Sequence, residues 1–146
     1  ARAEFDFILI DHGAIKDFPA LLTGRRWCSE ALIWSTTHAD ELWILSKADS
    51  LAIERLKSLT SELARNTIKP QLSFIHSLSN VTKRNKFDSD SFLQIATPLR
   101  PARVLQYPWD SRSVLAAEDE RSTLVDINER GVLRKSIAHI AGELAS

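Results

Sequence analysis

The chain has 146 residues, 44% hydrophobic and 26% charged, the make-up of one globular domain able to bury a core. Lys plus Arg and Asp plus Glu each number 19, so the formal net charge is zero. That excludes a nucleic-acid binder acting through bulk charge, a local basic patch aside. The single cysteine, Cys28, excludes an internal disulfide and a cysteine-built zinc site and fits a reducing cytoplasm. No apolar run approaches the ~20 residues of a membrane span, and no signal peptide is visible.

Four short segments read as strands. Phe5–Asp11 is almost continuously apolar, as a strand covered on both faces should be. Arg25–Thr37 follows as a helix with Trp27, Ala31 and Trp34 on one side, then Glu41–Ser46 as the second strand. Leu51–Ala64 is the clearest helix, with Ile53, Leu56, Leu59 and Leu63 at helical spacing and Asp49 or Ser50 placed to cap it. Gln71–His76 is a strand, Ser77–Asp90 a polar loop, and Asp88–Ala96 a short helix. Arg103–Tyr107 is the last strand, followed by helices over Ser111–Glu120 and Val132–Leu144.

Strands alternating with helices at this spacing predict an α/β fold. Its sheet is doubly wound and mostly parallel, with helices on both faces. Ligands in such folds sit beyond the carboxyl ends of the strands, so Asp11–Phe18, Lys47–Ser50, Ser77–Lys86 and Pro108–Arg112 draw attention. The opening run ends in Asp11-His12-Gly13, the way many nucleotide triphosphatases place a metal-binding carboxylate. No Gly-x-x-x-x-Gly-Lys phosphate loop accompanies it, because Gly13, Gly24, Gly131 and Gly142 lie far apart. The chain opens at Ala1 and contains no Met, so an excised or processed piece of a longer protein is expected.

Three segments together resemble one family. They are Phe5–Gly13, then Ala39-Asp40-Glu41 running through an apolar strand into Leu51–Leu56, then Tyr107-Pro108-Trp109-Asp110 running through a helix into an extended link over Thr123–Ile127. The chain is similar in these to the MinD/ParA ATPases, nearest the CpaE/TadZ branch. The resemblance implies that residues 1–146 are the carboxyl-terminal part of a P-loop ATPase domain that uses ATP and Mg2+, its phosphate loop lying upstream. It implies Asp11 as the catalytic and magnesium-binding Walker B carboxylate. Gly13, His76, Ser77, Pro108 and Asp110 would be nucleotide-binding, with His76-Ser77 standing where the family has an Asn-Arg-like pair. Function would be spatial positioning, or assembly of a pilus, secretion or septum apparatus, by ATP-dependent dimerisation. The setting would be cytoplasmic, with recruitment to the membrane or a cell pole. The partner would be a second copy, the missing amino-terminal half, or a protein of that apparatus.

Other readings stand beside this one. A pseudo-ATPase interaction module would keep the fold without turnover. A flavodoxin- or receiver-like domain would use Asp11 and Lys47, although no upstream acidic pair accompanies them. His12, His38, His76 and His139 have no metal-ligand spacing, and no Gly-x-Ser-x-Gly elbow supports a Ser–His–Asp triad. Lys83, Arg84 and Lys86, like Arg25-Arg26, read more simply as solvated charge than as a phosphate or lipid contact. Trp27, Trp34 and Trp43 read first as core. If Trp27 and Trp34 share an exposed helix face, they form a docking surface. The last helix, with Arg134, Lys135, His139 and Glu143 on its polar side, is expected to pack on the sheet rather than lie on a membrane. An exposed sheet edge is expected to draw in another chain.

Overall fold

Three of the four apolar runs become strands. The computed structural model describes residues 6–15, 17–23, 27–47, 49–77 and 83–144, and only the backbone at 21–22, 27–28 and 83–88. Helices α1 (Phe18–Thr23) and α2 (Trp27–His38) lead into β1 (Glu41–Lys47). Then come α3 (Ser50–Arg65), β2 (Gln71–Ser77), α4 (Lys83–Ala96), a short 3-10 turn over Thr97–Leu99, and β3 (Arg103–Tyr107). Helices α5 (Ser111–Asp119), α6 (Leu124–Ile127) and α7 (Val132–Leu144) follow. The strands pair in chain order, β1-β2-β3, all parallel. The α/β class with a parallel sheet expected from the sequence is therefore the class observed.

Strand alternation sorts the core. Leu42, Ile44, Leu72, Phe74 and Val104 share one face by register. Ile53 and Leu56 of α3 and Phe92 and Ala96 of α4 cover that face, so both crossover helices lie on the same side. Phe74 and Phe92 meet edge to face with centroids 6.3 Å apart, and His76 stacks on Phe92 at 4.4 Å. The other end of α3 makes a second cluster, where Leu63 packs with Phe18 and Leu32, flanked by Ile15, Leu59 and Ile68. Asp49 starts α3 by accepting the Ala52 amide at 2.8 Å.

The opposite sheet face carries Trp43 and Leu45, Ile75, and Leu105. Ile75 is buried there, whereas Leu45 on β1 is 63% exposed. That face is covered at β2 and open at β1. Helix α7 lies against β3, as expected of the last helix, and turns Ile140 inward. No helix among the described residues is long and apolar enough to cross a membrane.

Four expectations need correction. Residues 7–11 form no strand (Phe5 lies outside the described residues), and Leu9 is 92% exposed. An apolar run becomes a buried strand only where a neighbouring strand takes up its amides and carbonyls, and none does so here among the described residues. Thr123–Ile127 is not an extended link, because Thr123 accepts the Asp126 amide and caps α6. Helix α4 begins at Lys83, inside the segment expected to be a loop. Helix α1 begins at Phe18, at the end of another expected loop, because Asp17 accepts the Ala20 amide at 3.1 Å and Phe18 has a core to enter.

Phe92→Ala removes the ring that both Phe74 and His76 pack against. The expected loss is about 3–5 kcal/mol of stability, read as a lower urea midpoint at unchanged slope.

Candidate functional site

The carboxyl ends of parallel strands are where ligands bind in this architecture. Here Lys47, Ser77 and Tyr107 stand side by side as the last residues of β1, β2 and β3. Burial pushes the Tyr107 hydroxyl above its usual range. Beyond them lie the starts of α3 and α5, each closed by a carboxylate of this chain. Asp49 caps α3, and Asp110 caps α5 by accepting the Ser113 amide at 3.3 Å.

Asp110 does more than cap one helix. Its second oxygen faces the Leu133 amide at 3.5 Å, so the same carboxylate also meets the first turn of α7. The Ser113 hydroxyl is the main group holding its carboxyl below the usual range. A small burial penalty opposes this, and the amides of Ser113, Leu133 and Val132 reinforce it. Asn128 donates to the Ser113 hydroxyl at 3.0 Å, and Gly131 closes the cluster. A Cβ on Gly131 would stand 3.1 Å from Asp110 Oδ2 and 3.2 Å from the Asn128 carbonyl, so a side chain there would press the cluster apart by a few tenths of an ångström.

The opening motif lies elsewhere. Asp11 is exposed, and its Oδ1 accepts the Gly13 amide at 2.7 Å, with Gly13 at φ 68°. His12 bonds the buried Ser35 hydroxyl at 3.0 Å. Ser35 is one turn from the end of α2, which runs directly into the first residue of β1. Asp11–Gly13 is thus held near the amino ends of the strands. His76, Ser77, Pro108 and Asp110 are gathered at the carboxyl ends, roughly 20 Å along the seven-residue β1. His76 itself is fully buried against Phe92 rather than open to a ligand.

These residues do not fit an ATP–magnesium group as they are arranged. The carboxylate assigned to the metal and the residues assigned to the base lie at opposite ends of the sheet, and the starts of α3 and α5 are taken by Asp49 and Asp110. Among the described residues, no group of three His, Cys, Asp or Glu is placed to hold a metal. The side chains of Lys83, Arg84 and Lys86, Arg25-Arg26, and the Trp27 side chain lie outside the described residues. Trp34 is 47% exposed and stacks on His38 at 4.9 Å.

At the amino ends, sequence reading missed a cluster. Arg103 on β3 donates to both oxygens of Glu41 on β1, at 2.6 and 2.8 Å, and Ser73 on β2 donates to the same carboxylate. The register puts Arg103 level with Ser73 and Trp43, two residues along from Glu41 and on the same face, a placement with no local signal in the sequence. Burial pushes the Glu41 carboxyl up. The hydrogen bonds from Ser73, Arg103 and Trp43, with the Arg103 charge, outweigh that and hold it below its usual range.

A depressed carboxyl stabilises the fold above its unfolded pKa, and the gain is lost as pH falls through the folded value. Glu41→Gln is therefore expected to cost about 1–3 kcal/mol at pH 7 and to shrink the loss of stability on acidification, measured by urea unfolding across pH. Asp110→Ala is expected to cost about 1–2 kcal/mol, and Gly131→Ala to destabilise through the same contacts, both read from thermal melts.

No family model, no curated protein and no solved structure matches this chain, so its function is read from its own geometry.

Proposed function

We propose that the chain acts in spatial positioning or assembly of the MinD/ParA and CpaE-like kind, as an association module without nucleotide turnover of its own. The observation that carries this is the filling of two strand-end helix starts, those of α3 and α5. Helix N-termini attract phosphate because their amides and dipole are free to do so. In this chain Asp49 takes that position on α3, and Asp110 takes it on α5 and meets α7 as well. An anionic ligand arriving there meets carboxylates.

The surface available for association is apolar and lies on the β1 side. On α2 the buried residues among those with described side chains are Ser29, Leu32, Ser35 and Thr36, while Ile33 and Trp34 are exposed. A helix that hides hydroxyls and shows an indole is arranged for contact on its outer side. Leu45 and the apolar residues 7–10 add to this exposed surface. The proposed partners are another copy or a protein of a pilus, secretion or division apparatus. The proposed setting is the cytoplasm, with recruitment to the membrane or a pole through that partner.

Calorimetric titration with ATP in the presence and absence of magnesium tests the reading. The expected result is no magnesium-dependent binding and no effect of Asp11→Ala. Saturable binding that Asp11→Ala weakens would overturn it and return Asp11 to a metal-binding role in an ATPase.

A further inference from the structure

We infer that residues 110–144 form a lid over β3 that opens and closes as one unit, latched at Asp110, while the α3–α4 side of the sheet stays folded. The inference goes beyond the association reading and does not depend on it.

Burial is shared unevenly along the chain. Among the described residues, both hydrophobic clusters are built from positions 15–104, and α5, α6 and α7 add no side chain to either. Over residues 111–144 the buried side chains are those of Ser113 and Ile140. Leu115, Val125, Val132, Ile137 and Leu144 are exposed. By contrast, α3 alone buries Ile53, Leu56, Thr60 and Leu63. Regions with few buried apolar contacts open at lower free energy than the core, in contiguous cooperative units. One buried isoleucine offsets little of the backbone entropy lost in ordering the 13 residues of α7.

Polar contacts bind the three helices to one another. Asp110 accepts the Ser113 amide on α5 and faces the Leu133 amide on α7. The Ser113 hydroxyl takes a hydrogen bond from the Asn128 side chain. The Asn128 amide closes α6 on the Leu124 carbonyl, and the Asn128 carbonyl accepts the Gly131 amide at 3.0 Å. Arg134 of α7 reaches back to the Glu129 carbonyl at 2.7 Å. The contacts therefore run from α5 through the turn at 128–131 into α7, and Asp110 stands at both ends of that path. Lifting α7 breaks the contact with Leu133 and disturbs the bond that steadies the first turn of α5.

The unit joins the sheet through Pro108 and Trp109, directly after β3. Among the described residues β3 pairs only with β2, and α7 lies against it with Ile140 turned inward. Opening uncovers a face of β3 and leaves the strand ladder intact.

Native-state hydrogen exchange of the full chain in low urea tests the inference. The amides of α5 and α7 are expected to exchange through a common opening, at least about tenfold more often than those of β2 and α3. Ile140→Ala is expected to speed exchange in α7 about tenfold or more, and in α5 by the same factor, although Ile140 lies on α7. Asp110→Ala is expected to speed both helices together by about fivefold. In both variants the amides of β2 and α3 stay slower than those of α5 and α7. A single opening shared by α5, α7, β2 and α3 in the unsubstituted chain overturns the inference. An Ile140→Ala chain that speeds α7 and leaves α5 unchanged also overturns it. Loss of all protection in β2 and α3 on Ile140→Ala does so too, because it makes α7 part of the core.

Discussion

Glu41 reaches across the sheet. It sits on β1, yet Arg103 on β3 and Ser73 on β2 hold its carboxylate, so one acidic group ties all three strands at their amino ends. In a three-stranded sheet two strands are edges, and register is easily lost there. A slip of β1 by one residue would turn Ile44 away from Phe74 and put Glu41 and Arg103 on opposite faces. The ion pair is half-buried, and the desolvation of its charges offsets much of their attraction. Its larger effect is to penalise the wrong alignment, which keeps Phe74 and Ile44 over α3 and α4.

The two ends of the sheet are built for different tasks. At the amino ends, charge is neutralised across strands. At the carboxyl ends, carboxylates are spent on backbone amides, with Asp49 holding one helix and Asp110 touching two. The second arrangement shapes the functional reading. An α/β sheet ordinarily leaves its strand-end amides to a ligand, and here carboxylates of the chain accept from the first turns of α3 and α5.

Much of the fold was legible because its signals are local. The 3.6-residue spacing of Ile53, Leu56 and Leu63 and the capping position of Asp49 mark α3 within a residue at each end. The strands at 41, 71 and 103 were legible as short apolar runs between helices. Residues 5–11 carry the same signal and form no strand at 7–11, because a strand depends on its neighbour and composition does not report neighbours. The short helix at 124–127 depends on one hydroxyl cap, a cue easily read as a turn. Of the site, the sequence marked Pro108 and Asp110 as a junction, though not that Asp110 would serve two helices. The Glu41–Arg103 pair spans 62 positions and shows only once the register is known.

The mixed faces of α2 bear on how the molecule's stability should be understood. Among its described side chains the inner face offers Leu32 to the core beside Ser29, Ser35 and Thr36, which add little transfer free energy, and its outer face leaves Trp34 half exposed. Part of the hydrophobic gain that Ile33 and Trp34 can supply is therefore unclaimed. Whatever covers that face adds to the folding free energy by mass action. Under the proposed association, the melting temperature depends on the concentration of that partner as well as on the chain.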